Sequence, residues 1–141
     1  MKLKRSLGQN FLTDSFFLEK IVQSSQIQKL DDVIEIGSGD GALTELILKK
    51  SNSLTAIEID PRFSEKLRKK HIDDNFQIHN KDFLKIDLNE INFEDKVVMG
   101  NLPYNVSSQI IFRLLESELK FRHCVFLIQK ELANRFLTNQ K

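Results

Sequence analysis

The segment around position 101 combines residue types that can hold a planar amino group. Asn101, Leu102, Pro103 and Tyr104 follow the apolar run 97–100 and precede a helical pattern. An amide, a proline and an aromatic ring at the end of a strand would form a small polar pocket with one flat wall. The Asn101 side-chain oxygen and a backbone carbonyl near Leu102 can each accept a hydrogen bond from an –NH₂ group. The segment therefore predicts chemistry on the amino group of a base.

The proline and the tyrosine would shape this pocket. Pro103 fixes its own φ angle and biases Leu102 towards an extended conformation. It also lacks an N–H group that would compete with a substrate, and Tyr104 can stack on a base. An ordinary strand-to-helix turn is the other interpretation of the four residues, because Asn and Pro are common in such turns.

Other segments carry residue types that bind nucleotides. Residues 35–42 (EIGSGDGA) would end a strand and open a helix, where glycines permit a tight turn and the helix N-terminus offers free N–H groups. Glu58 follows at about 20 residues from the loop, where an acid that binds ribose hydroxyls is expected. Asp82 can accept a hydrogen bond from an adenine amino group, and Phe83 can cover the ring.

Each of these segments has a second interpretation. The pattern Gly37-x-Gly39-x-x-Ala42 matches a dinucleotide fingerprint, and glycine-rich loops of S-adenosylmethionine enzymes look much the same. A turn without a ligand is also possible. A carboxylate at Glu58 is costly in an apolar strand unless ribose hydroxyls or solvent satisfy it. Asp82 is also typical of a plain turn or helix cap. Taken singly, the segments leave the ligand open.

The apolar pattern predicts an α/β fold. Strands are predicted at 33–36, 54–59, 76–78, 96–99 and 124–128, and helices at roughly 14–25, 41–50, 61–70, 107–119 and from about 130. Strict alternation of strands and helices favours a parallel sheet, whose ligands gather at the carboxyl ends of the strands. Four of the candidate residues lie at or just beyond predicted strand ends: Gly37, Glu58, Asp82 and Asn101.

Composition fits one ordinary domain. The chain has 141 residues, of which 40% are hydrophobic and 29% charged, enough to bury a core. No apolar run approaches the roughly 20 residues that span a bilayer. The basic start, residues 1–5, has no apolar signal segment behind it, so we expect a cytoplasmic protein without membrane contact.

The cysteine, histidine and charged residues limit which kinds of site the chain can form. The single cysteine, Cys124, excludes an internal disulfide and a multi-cysteine metal site. The three histidines lack metal-ligand spacing, so no metal is expected. The net charge of +1 does not by itself indicate nucleic-acid binding. A basic group at 2–5 is a candidate for phosphate contacts, whereas the group at 66–71 is typical of a helix C-terminus.

Together these segments resemble the ribosomal RNA adenine dimethyltransferase family. The matching stretches are 7–12 (LGQNFL), 35–41, 58–60, Asp82 and 101–107 (NLPYNVS). They span essentially the whole chain, and the combination of Gly-Gln-Asn-Phe-Leu with Asn-Leu-Pro-Tyr is specific. The match looks closest to the branch that acts on small-subunit RNA. The macrolide-resistance branch, which acts on large-subunit RNA, more often has isoleucine where Leu102 stands.

The resemblance implies a Rossmann-like, S-adenosylmethionine-dependent methyltransferase fold with a mostly parallel sheet. It implies S-adenosylmethionine as the cofactor, with Gly37 at its methionine portion, Glu58 at the ribose and Asp82 at the adenine. Asn10 and Leu12 would close over the cofactor from the N-terminal segment. These two roles come from the resemblance alone.

The implied reaction is transfer of two methyl groups to the exocyclic amine of adenines in small-subunit (16S) ribosomal RNA, within the subunit or its precursor. The product would be N6,N6-dimethyladenine. Asn101 would lie between cofactor and target, and the implied catalytic residues are Asn101, Leu102, Pro103 and Tyr104.

Family members continue well past the equivalent of Lys141. The resemblance therefore implies that residues 1–141 form a cofactor-binding methyltransferase domain that lacks its last strands and a C-terminal helical domain. The fifth strand would then be a sheet edge. We expect cofactor binding to survive in such a chain better than RNA methylation.

Two other functions stay open. One is a non-catalytic RNA-binding or ribosome-assembly factor on the same fold, against which the intact 101–104 segment counts. The other is an NAD-type oxidoreductase domain, favoured only by the glycine pattern of residues 37–42. That function leaves Gln9, Asn10 and the 101–104 segment unexplained.

Overall fold

The computed structural model describes residues 15–128. Asn10, Leu12 and the helix predicted from about 130 lie outside the described residues. In chain order the elements are helix α1 (Ser15–Ser25), strand β1 (Asp32–Ile36), helix α2 (Ala42–Lys50), strand β2 (Ser53–Ile57), helix α3 (Pro61–Lys70), strand β3 (Phe76–His79), a 3₁₀ helix (Leu88–Glu90), strand β4 (Val97–Asn101), helix α4 (Tyr104–Glu116) and strand β5 (His123–Leu127).

The five strands form one parallel sheet in the order β3-β2-β1-β4-β5. The chain therefore builds outwards from β1 to β3 and then returns to place β4 on the other side of β1. The strand order reverses between β1 and β4, where open α/β sheets bind their ligands. Ile36 pairs with Ile57 on one side and with Gly100 on the other, so three strand ends lie at the same edge. The predicted α/β fold with a mostly parallel sheet is confirmed.

The central strands are buried on both faces, which explains their continuous apolar sequences. Helix α1 and helix α2 cover one face, where Val33, Val97 and Met99 pack against Leu18 and Ile47. Helix α4 and the segment 83–93 cover the other face, where a second group of side chains is buried: Ile34, Ile36, Val98, Phe83, Phe93, Ile110 and Leu114. None of the described helices is long and apolar enough to cross a membrane.

Several element boundaries differ from the prediction by one to three residues, among them the start of α4 and the end of β2. Helix α4 begins at Tyr104 rather than near 107. The prediction relied on the apolar stripe of the helix, which begins after its first turn. Pro103, with φ −61° and ψ 137°, is the N-cap, so the helix begins three residues before the predicted start. Strand β2 ends at Ile57 rather than Ile59, and just beyond its end the Glu58 side chain accepts a hydrogen bond from the Asp60 N–H.

Helix α3 begins as predicted. Asp60 is its N-cap, and Asp60 Oδ1 accepts a 2.9 Å hydrogen bond from the Arg62 N–H. Pro61 takes the first helical position, where its missing N–H has no helical partner to lose. The start of α3 fixes the direction of the chain just after Glu58.

Candidate functional site

A cavity of about 560 Å³ opens at the carboxyl edge of the sheet. Its lining comes from the loop after β1, the ends of β2 and β3, and the junction between β4 and α4. Five of the sequence-predicted residues line it together: Gly37, Glu58, Asp82, Asn101 and Pro103. The sequence predicted a site at the carboxyl ends of the strands, and these residues meet at that edge of the sheet.

Two residues of the 101–104 segment lie away from the cavity lining. Leu102 is 1% exposed and packs in the core beneath α4. Its backbone N–H still donates to the Leu127 carbonyl at 3.3 Å, which ties the segment to β5. Tyr104 is 62% exposed in the first turn of α4. The segment thus presents Asn101 and Pro103 to the cavity, Leu102 to the core and Tyr104 to solvent.

The glycine-rich loop leaves open space above its backbone. Gly37 and Gly39 have φ angles of 78° and 56°, a region that side chains with a Cβ rarely adopt. A Cβ built on either glycine meets no atom within 4 Å. Gly41 differs, because a Cβ there would lie 2.5 Å from Leu67 Cδ2 on α3. The first two glycines therefore open the cavity floor, whereas the third permits close helix packing.

Glu58 is held by the backbone of the neighbouring loop. Its Oε1 accepts hydrogen bonds from the Gly39 N–H at 2.7 Å and from Ser38 Oγ at 3.4 Å. Its Oε2 accepts from the Asp60 N–H at 2.9 Å. The side chain is 6% exposed, and these donors offset the cost of burying a carboxylate. Because two carboxylate oxygens offer about four acceptor positions, capacity for a further donor remains.

Asp82 opens a tight turn after β3. Its Oδ1 accepts a 2.9 Å hydrogen bond from the Leu84 N–H, and its backbone carbonyl accepts from Lys85 and Ile86 at 2.9 Å. Asp82 therefore does form a local turn, as the second interpretation of this residue predicted. This turn does not conflict with a binding role, because Asp82 also lines the cavity, together with the buried Phe83 ring.

The remaining lining is largely apolar. It includes Ile36, Leu43, Ile57, Ile59, Phe63, Leu84, Val106 and Ile110. A cavity with apolar walls and a few acceptors fits a flat heteroaromatic ligand with polar edges. In the part of the chain from 15 to 128, no group of three His, Cys, Asp or Glu side chains is placed to hold a metal ion.

Sequence reasoning missed Glu35, which lies beneath the glycine-rich loop. It is 0% exposed, and its Oε1 accepts a 2.6 Å hydrogen bond from Thr44 Oγ1. Oε2 is buried without a hydrogen-bond partner among residues 15–128. Burial raises the pKa of this carboxyl from 4.5 to about 7, the Thr44 hydrogen bond opposes that shift, and the charges of Glu58 and Asp40 add to it. The sequence did carry a signal for a buried acid, because Glu35 stands between Ile34 and Ile36 of a central strand.

Comparisons with known proteins agree on one family. The model of the family described as "Ribosomal RNA adenine dimethylase" matches residues 1–141. The ribosomal RNA small subunit methyltransferase A of Mycoplasma mobile is 42% identical over 135 residues, covering 95% of this chain and 52% of the relative. The chain spans about half the length of the curated relatives it matches.

Solved structures show the same relationship. A dimethyladenosine transferase from Plasmodium falciparum superposes with a TM-score of 0.76 at 31% identity, over 89% of this chain and 45% of that one. The 23S rRNA methyltransferase ErmE also gives a TM-score of 0.76, at 28% identity, over 92% of this chain and 52% of its own. Because the family model matches residues 1–141 and a relative that the chain covers to 95% is 42% identical, this chain belongs to the ribosomal RNA adenine dimethylase family.

Proposed function

We propose that this domain binds S-adenosylmethionine and transfers methyl groups to the exocyclic amine of adenines in small-subunit (16S) ribosomal RNA, giving N6,N6-dimethyladenine. The observation that carries the proposal is the meeting of Gly37, Glu58, Asp82 and Asn101 in one cavity at the β1–β4 reversal. The names of the matched relatives support the substrate class, since they include ribosomal RNA methyltransferases and a dimethyladenosine transferase.

The residues present fit the cofactor. The open space above Gly37 and Gly39 would admit its methionine portion without a clash. The remaining acceptor position of Glu58 suits a ribose hydroxyl, and Asp82 with the Phe83 ring suits the adenine. Asn10 and Leu12 would close over the ligand from the N-terminal segment.

When bound, S-adenosylmethionine supplies an electrophilic methyl group. The role of the chain is to hold the target amine in line with it. An adenine amine is a poor nucleophile because its lone pair is delocalised into the ring. The Asn101 side-chain oxygen and a backbone carbonyl near Leu102 would accept hydrogen bonds from its two N–H groups and so direct the lone pair. These acceptors also stabilise the positive charge that grows on nitrogen.

The surroundings of Asn101 suit this task. Pro103 lines the cavity and has no N–H that would compete for the acceptors. The exposed Tyr104 ring offers a stacking surface for a base that has left its helix. An uncharged amide also accommodates a monomethylated amine, so a second transfer can follow the first.

Under this proposal, residues 1–141 form the S-adenosylmethionine-binding methyltransferase domain. The RNA partner is the small ribosomal subunit or its precursor, and the reaction takes place in the cytoplasm.

The test is Asn101→Ala in the protein encoded by the full gene. We expect methyl transfer from labelled cofactor to unmethylated small subunits to be lost, whereas cofactor affinity measured by calorimetry changes by less than about tenfold. Full transfer by the variant would contradict the role of Asn101. Wild-type protein that is folded but binds NAD instead of S-adenosylmethionine would contradict the proposed function itself.

A further inference from the structure

Arg113 on α4 binds both ends of the turn that follows β3. Its Nη1 donates a hydrogen bond to the Phe83 carbonyl, and its Nη2 donates to the Ile86 carbonyl at 2.6 Å. The guanidinium carbon also lies 5.6 Å from the centroid of the Phe83 ring. A planar guanidinium is a rigid two-pronged donor. One side chain therefore fixes the carbonyls at the start and the end of this turn.

The turn that Arg113 holds is the one that carries the adenine-facing candidates. Asp82 accepts backbone hydrogen bonds from Leu84, Lys85 and Ile86. The direction of the Asp82 carboxylate thus depends on the path of the turn. Phe83 depends on it as well, since its carbonyl is one of the two that Arg113 binds.

This turn belongs to a long connection. Between β3 and β4 the only regular element in the described structure is the 3₁₀ helix Leu88–Glu90. Connections with little regular structure rely on side-chain contacts to fix their position. Arg113 supplies such a contact from a 13-residue helix that packs on the sheet.

Helix α4 reaches the same cavity at its other end. It starts at Tyr104, directly after the 101–103 segment, and Val106 and Ile110 on its inner face line the cavity. Arg113 follows Ile110 by three residues on the same side of the helix. It is absent from the lining itself, so its effect on a ligand has to pass through Asp82 and Phe83.

We propose that Arg113 is a positioning residue that holds the Asp82–Phe83 turn in the conformation that recognises the adenine of the cofactor. It thereby connects adenine recognition to the helix that begins at the target-binding segment. This inference rests on the proposed function, because it assigns the adenine to the Asp82 turn.

The experiment compares two ligands that differ at the adenine amine. S-adenosylhomocysteine carries the amino group that Asp82 would bind, and S-inosylhomocysteine carries an oxygen in its place. Calorimetry with both ligands gives an affinity ratio for the wild type and for Arg113→Met in the protein encoded by the full gene. We expect the substitution to weaken adenosyl binding about tenfold and to lower the ratio of adenosyl to inosyl affinity.

Two further variants separate positioning from general support. Arg113→Lys keeps the charge but replaces the two-pronged guanidinium with a single ammonium. Its ratio of adenosyl to inosyl affinity should therefore lie between the ratios of Arg113→Met and the wild type. Arg68→Met is the matched control, because Arg68 Nη2 also donates to a backbone carbonyl, that of Ile78, at 3.2 Å. This control should leave the ratio at its wild-type value. Thermal unfolding of each variant confirms that binding is measured on folded protein.

The outcomes are distinct. A ratio that stays at the wild-type value in folded Arg113→Met, or that falls equally in Arg68→Met, overturns the positioning role and leaves the proposed function standing. If Arg113→Met does not fold, the same comparison is made with Arg113→Lys, and a wild-type affinity ratio in that variant overturns the positioning role. Wild-type protein that binds neither ligand overturns both the proposed function and this inference.

Discussion

The Glu58 carboxylate accepts a 2.7 Å hydrogen bond from the Gly39 N–H. This contact joins the end of β2 to the glycine-rich loop after β1, and the opposite oxygen of the same carboxylate binds the start of the segment that leads to α3. Glu58 therefore shapes the cavity before any ligand enters it. A ribose-binding acid and a structural acid are compatible roles for one side chain here.

Glu58→Gln should weaken both the loop and the cofactor site. The amide keeps one acceptor oxygen but turns its NH₂ towards either the Gly39 or the Asp60 N–H, so one hydrogen bond to a charged group is lost. We expect the free energy of unfolding to fall by about 1.5–3 kcal/mol and cofactor affinity to fall at least about tenfold. Urea unfolding and calorimetry measure the two effects.

Glu65→Gln is the control for that substitution. Glu65 is an exposed acid that forms a 3.5 Å ion pair with Lys69 on the same helix. Exposed pairs of this kind contribute about 0.3–0.5 kcal/mol. Unfolding curves for Glu58→Gln that match those of the control would contradict a role for Glu58 in holding the loop.

Gly39→Ala and Gly41→Ala should separate binding from folding. A Cβ at Gly39 enters open space, so the fold bears only the left-handed φ strain of about 1–2 kcal/mol. Cofactor affinity should nevertheless fall, because the methyl group occupies the cavity floor. A Cβ at Gly41 meets Leu67 at 2.5 Å, which adds about 1–3 kcal/mol of overpacking to the strain.

The measurements for this pair are the midpoint of urea unfolding and the cofactor dissociation constant. We expect Gly41→Ala to show the larger loss of stability. Gly39→Ala should show the larger loss of affinity relative to its loss of stability. Equal stability losses, with wild-type affinity in Gly39→Ala, would show that the open space does not receive the ligand.

Glu35→Gln should change how stability depends on pH. Burial raises the pKa of Glu35 to about 7 from its ordinary 4.5, so the folded protein holds this proton more tightly than the unfolded chain. The stabilising contribution is fully present below pH 4.5 and is lost as pH rises through 7. Glutamine does not titrate and keeps an acceptor for Thr44.

The difference in unfolding free energy between Glu35→Gln and the wild type should therefore shift in favour of the variant as pH rises from about 5 to about 8. The shift should approach about 3 kcal/mol. Urea unfolding at unit pH intervals measures it. A difference that stays constant over this range would mean that Glu35 does not titrate there.

Local sequence patterns were sufficient to predict the alternation of elements and to place each strand end to within about two residues. Apolar runs rich in β-branched residues, such as 33–36 and 97–99, are typical of strands buried on both faces of a parallel sheet. Asp60-Pro61 is typical of a helix start. The late start predicted for α4 shows the limit of this approach. Its first turn is polar, so periodicity detects the helix only where apolar residues begin.

The sequence by itself determined the fold class, the family resemblance and the set of residues at the strand ends, because periodicity and short motifs are local properties. Only the tertiary structure decided that β4 lies beside β1, that Leu102 enters the core while Asn101 lines the cavity, and that Glu58 binds the glycine-rich loop. It also placed Arg113 on a turn 30 residues earlier in the chain. Such contacts depend on how the elements pack against one another, and no local pattern in the chain specifies that packing.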